Sequence, residues 1–139
     1  MRTVVLIAPD HTSADKFLHR LPSTYSIESS ASPERVVIQS GERHAFFEED
    51  ASVQDDFDDE ELLVIQNRFI APKFFTLEFS DPGFGTLLLI HLANDPSILV
   101  DDDHGSILQG DEFVKRLVSS EDYWAEAYTR LRDTNRGSS

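Results

Sequence analysis

No cysteine occurs in the 139 residues, so disulfides, thiolate metal sites and cysteine nucleophiles are all excluded. Glycine is sparse, at six residues. None lies in a Gly-rich phosphate loop or in a GxSxG elbow around a nucleophilic serine. Positive charge is scarce as well. Twelve Lys and Arg stand against 26 Asp and Glu, for a net charge of −14. Such a surface repels phosphate backbones and anionic membranes, so the expectation is no nucleic-acid partner and no membrane partner. Long apolar runs are missing too. The opening MRTVVLIAPD reaches only Ala8 before Pro9 and Asp10, too short for a signal peptide or a membrane span. A cytoplasmic protein is expected.

What is present is enough to fold. Apolar residues make up 40% of the chain, with ten Phe and one Trp. A chain of this length buries roughly two thirds of its unfolded surface. We read residues 1–133 as a single α+β domain and residues 134–139 as a disordered polar tail. The expected fold is a mostly antiparallel sheet of about six to eight strands with three or four helices packed against it.

Residues 2–8 form a run rich in Val and Ile that reads as a buried central strand. Thr12 and Asp15 suggest a capping pair for a helix whose Ala14, Phe17, Leu18 and Leu21 share one face. The loop between this strand and helix has neither glycine nor lysine, so it is not a nucleotide site. Residues 24–30 read as a strand, and 35–39 with 43–48 as a hairpin turning at Ser40, Gly41 and Glu42. Residues 62–69 and 74–79 alternate and read as two strands. Ser80 and Pro82 signal a helix carrying Phe84, Leu87, Leu88, His91 and Leu92, although 86–92 also suits a strand. His91 on this apolar face reads as a core histidine. Residues 97–101 and 106–109 pair as a hairpin across Asp103, His104 and Gly105. A helix opens at Gly110, and a last one runs from Ser119 or Ser120 to Arg132 with Trp124, Tyr128 and Leu131 on one face.

Acid is concentrated at two places. Nine of the fourteen residues from 48 to 61 are Asp or Glu; like charges this dense predict a loop or a short, weak helix. Phe57 stands alone among Asp55, Asp56, Asp58 and Asp59. It reads either as a pin holding the loop to the core or as an aromatic anchor for a basic partner. A DNA mimic would use the same carboxylates as phosphate stand-ins. The second cluster is Asp101, Asp102 and Asp103, followed by His104.

That second cluster is also the metal candidate. Residues 101–112 span the length of an EF-hand loop, with Asp101, Asp103 and Glu112 at ligand positions. Gly105 stands where a ligand is wanted, Ser106 stands where the turn needs glycine, and a strand precedes the loop. The hairpin reading is therefore preferred; Asp101, Asp103, His104 and Glu112 remain the only metal candidates, and no cofactor is expected. The five histidines include no HxH or HxxxH pair. Abundant carboxylates in a solvated stretch do not make a general acid or base. The chain is read as non-enzymatic.

The segment ILVDDDHGSILQGDEFVKRL combines an apolar strand, an acidic turn ending in glycine, a second strand and a helix opened by Gly-Asp-Glu-Phe. In this it resembles small bacterial immunity proteins, which neutralise toxins of polymorphic or contact-dependent systems. The resemblance spans about twenty residues and assigns no target and no binding residue. It joins the charge argument in one expectation: an immunity or inhibitor protein that captures a basic partner such as a toxin. The expected contacts are Asp55, Asp56, Asp58, Asp59, Asp101, Asp102 and Asp103, with Phe57 and Trp124 as apolar contacts. Two alternatives stand beside it: a calcium-like metal protein, and a homodimeric accessory domain whose charge serves solubility. Monomer and homodimer are both open.

Overall fold

Strand β1 (Arg2–Ala8) sits near the middle of the sheet because neither of its faces is polar. Val4, Leu6 and Ala8 point to one side and Val5 and Ile7 to the other, and all five are buried. An antiparallel strand with two apolar faces needs cover on both sides, and the chain supplies it. The computed structural model describes residues 1–29, 35–102, 107–120 and 123–124. Within them lie β1, α1 (Ala14–Leu18), β2 (Ser26–Ser29), β3 (Arg35–Ser40), β4 (Arg43–Glu49), a 3-10 helix (Ala51–Asp56), α2 (Asp59–Arg68), β5 (Lys73–Phe79), α3 (Pro82–Leu92), β6 (Leu99–Asp101), β7 (Ile107–Gln109) and α4 (Gly110–Ser119). The seven strands form one sheet in the order β2-β3-β4-β5-β1-β6-β7, and every pairing is antiparallel. The protein is a single-domain α+β fold.

One face of the sheet carries the larger core. Phe17 and Leu18 of α1, Phe84, Leu88, Leu89 and Leu92 of α3, and Phe113, Val114 and Leu117 of α4 pack there against Leu6, Phe47, Phe75, Leu77 and Phe79. The other face carries a smaller core made by Phe57, Ile65 and Phe69 over Val5, Ile7, Phe74 and Leu99. The 3-10 helix and α2 therefore roof only the part of that face formed by β5, β1 and β6.

Several elements start where local chemistry dictates. The β3–β4 turn uses Gly41 at φ 64°, the left-handed region that a tight hairpin needs and glycine adopts without strain. Helix α3 is capped by Asp81, whose Oδ1 accepts the Phe84 N–H at 3.2 Å; the cap lies one residue beyond the expected Ser80. Helix α1 is capped by Ser13 rather than Thr12 and ends at Leu18. Arg20 then anchors the following turn. Its guanidinium donates to the Leu92 carbonyl at 2.9 Å and to Asp95 at 2.6 Å.

The main correction concerns residues 62–69, expected as a strand and folded as most of α2. Asp58 and Glu61 form a full capping box: Asp58 Oδ1 accepts the Glu61 N–H at 2.8 Å, and Glu61 Oε1 accepts the Asp58 N–H at 3.0 Å. That reciprocal pair satisfies two otherwise orphaned donors and starts a helix. Leu62, Ile65 and Phe69 then fall on one side, against the smaller core. The expected turn at 103–105, the tail at 134–139 and most of the last helix lie outside the described residues.

Candidate functional site

The first acidic stretch is consumed by helix starts as much as by surface charge. Asp50 caps the 3-10 helix, its Oδ1 accepting the Ser52 N–H at 3.0 Å. Asp58 caps α2, and Asp59, Glu60 and Glu61 occupy its first turn, where carboxylates interact favourably with the positive end of the helix dipole. Asp55, Asp56, Asp58, Asp59 and Glu60 remain exposed. Phe57 does not. It is 9% exposed, and its ring lies 5.9 Å from that of Phe74 in the smaller core. The pin reading fits, and what remains of its surface lines the pocket described below rather than projecting as an anchor.

The second cluster is mostly interior. Asp101 is buried at the end of β6, and Asp102 has no exposed surface at all. The Tyr123 hydroxyl donates to Asp102 Oδ2. A carboxyl group taken out of water needs hydrogen-bond partners, and this phenol is one of them. Asp102 therefore has no surface to offer a partner. Trp124 is corrected for the same reason. At 3% exposure it packs edge-on against Phe79, and its indole N–H donates to Thr86 Oγ1 at 3.0 Å. Asp103 and His104 lie outside the described residues. Glu112 is exposed on α4, while Asp101 is buried opposite Ile107 in the β6–β7 ladder. Among the described residues, no three His, Asp or Glu side chains converge as a metal site would require.

The two acidic regions nevertheless meet. A shallow pocket of about 300 Å³ is lined by Thr3, Val5, Val53, Asp56, Phe57, Glu61 and Asp101. Asp56 and Glu61 come from the first stretch and Asp101 from the second. The sheet brings them together because β6 pairs with β1, setting Asp101 directly opposite Val5, while the 3-10 helix and α2 fold back over that same strand. The lining combines three apolar side chains, Val5, Val53 and Phe57, with three carboxylates and Thr3. Apolar side chains beside carboxylates suit the stem and charged head of a lysine or arginine.

Glu61, Thr3, Val5 and Val53 were missed from the sequence. Glu61 carried a readable signal, the Asp-x-x-Glu spacing of the capping box. Thr3, Val5 and Val53 carried none, since their place at the pocket follows from how the 3-10 helix folds over β1.

One titration stands out elsewhere. Burial opposes ionisation of Asp95, but donors from the Ser97 side chain and N–H, with the hydrogen bond and charge of Arg20, outweigh it. Together they hold the Asp95 carboxyl below its ordinary value of 3.8. This ion pair ties the end of α1 to the α3–β6 loop and belongs to the scaffold. No helix among the described residues is long and apolar enough to cross a membrane.

Comparison of the chain with protein-family models, with curated proteins and with solved structures returns no match.

Proposed function

We propose that this is a non-catalytic binding protein, of the immunity or inhibitor kind, that captures a basic protein partner through the surface built by the 3-10 helix, the start of α2 and the end of β6. The observation that carries this reading is the meeting of Asp56, Glu61 and Asp101 around one pocket, with Asp55, Asp58, Asp59 and Glu60 exposed beside it. Negative potential gathered over such a surface steers a cationic partner and raises its association rate. Lysine or arginine side chains of the partner would then be held in the pocket, masking whatever cationic site they belong to.

The experiment is co-purification with the product of the directly adjacent gene, followed by titration against salt. Capture that weakens steeply with ionic strength, and that is lost when Asp55, Asp56 and Asp59 are changed together to Asn, supports the reading. Capture that is indifferent to both would contradict it.

A further inference from the structure

The acidic surface is not purely polar. Helix α2 turns Leu62 and Ile65 inward, yet Leu63 is 59% exposed and Val64 49% exposed on its outer side. Two residues past the helix, Ile70 is fully exposed as well, beside a separate pocket with Arg68 and Phe69. Single exposed apolar residues are ordinary, but Leu63 and Val64 adjoin in one turn of α2 as a small patch. The patch also continues inward. A second cleft, of about 240 Å³, is lined by Glu60, Glu61, Val64 and Ile107. Glu61 lines both this cleft and the acidic pocket, and Ile107 sits opposite Asp101 across the β6–β7 ladder. The two depressions are neighbours separated by one side chain.

We infer that the outer face of α2 is a docking surface for a partner segment that presents aliphatic side chains flanked by Lys or Arg. The aliphatic groups cover Leu63 and Val64 and enter the cleft beside Ile107. The cationic groups meet Glu60 and Glu61 and reach the pocket at Asp56. Charge complementarity selects this occupant. A second copy of the chain would set the same carboxylates of Glu60, Glu61 and Asp59 against one another, which costs binding energy, and an anionic lipid surface would be repelled. The inference rests on the proposed capture of a basic partner and adds to it that charge alone is insufficient.

The test uses the full chain and two synthetic peptides of equal positive charge, one of alternating leucine and lysine and one of glycine and lysine. Binding is followed by the amide shifts of the isotopically labelled protein. The leucine–lysine peptide is expected to bind about tenfold more tightly than the glycine–lysine peptide, in keeping with a small apolar hot spot. It should shift the amides of α2 and Ile107. In the double variant Leu63→Ser, Val64→Ser that advantage should vanish while the melting temperature holds, because both side chains are already half in water. Equal binding of the two peptides, or an advantage that survives the double variant, overturns the inference while leaving the charge-driven reading standing. Failure of both peptides to bind at low salt overturns both. Shifts confined to another face overturn the inference as well.

Discussion

Two acidic stretches look alike on paper and behave oppositely in the fold. The one at 48–61 stays in water: Asp55, Asp56, Asp58 and Asp59 are exposed, and part of its charge serves to start helices. The one beginning at Asp101 goes inside, where Asp102 has no exposed surface and takes a hydrogen bond from Tyr123. The difference comes from their flanks. The first follows an edge of apolar sequence and is diluted by Ala51, Ser52 and Gln54. The second is the direct continuation of the apolar strand residues Ile98, Leu99 and Val100, and the strand carries its carboxylates with it. Density of charge predicts repulsion; it does not predict which side of the surface the charge ends on. Among the described residues, the first stretch offers the broader contact surface, and the pocket beside it adds Asp101 from the second.

The contrast can be broken in several ways. Phe57→Ala should have the largest effect, about 3 kcal/mol of lost stability in urea unfolding, since a buried aromatic is removed from the smaller core. A mere surface anchor would lose binding and leave stability alone. Asp102→Ala should cost about 2 kcal/mol by the same measurement, because it removes the buried carboxyl to which the Tyr123 hydroxyl donates. Asp58→Ala, a nearby acid in a different role, should cost about 1 kcal/mol through the lost cap of α2. The exposed changes Asp55→Asn and Asp59→Asn should stay within about 0.5 kcal/mol of wild type while reducing partner capture.

A pH series sharpens the picture at the scaffold. The folded-state pKa of Asp95 is depressed, so its contribution to stability is present above the unfolded carboxylate value and is lost as pH falls through the folded one. The stability gap between wild type and Asp95→Asn should therefore be widest near neutral pH and close below about pH 4. A gap that widens in acid would show that the Arg20–Asp95 pair is not its source.

Much of the fold was legible. The central strand, the β3–β4 hairpin, the Pro82 helix and the β6–β7–α4 sequence were all readable from periodicity and turn chemistry, and the antiparallel α+β class follows from them. Residues 62–69 were not, for a definite reason. LLVIQNRF alternates well enough to pass as a strand, and the deciding signal lay upstream, in Asp58 and Glu61, hidden by being two acids among many. The site was legible only in part. Its exposed carboxylates could be named in advance. The burial of Phe57, Asp102 and Trp124 could not, because it depends on which strand lies beside which and on where Tyr123 returns to the sheet. Nor could the union of Asp56, Glu61 and Asp101, which is a product of the β5-β1-β6 order.

The most direct measurement is the rate at which the adjacent-gene product associates with this protein between roughly 50 and 500 mM salt, with wild type and the Asp55→Asn, Asp56→Asn, Asp59→Asn variant side by side. The account predicts a wild-type rate that falls steeply with salt and a variant that is slow from the outset and nearly flat. Two curves that coincide, or a wild-type rate unmoved by salt, would contradict it.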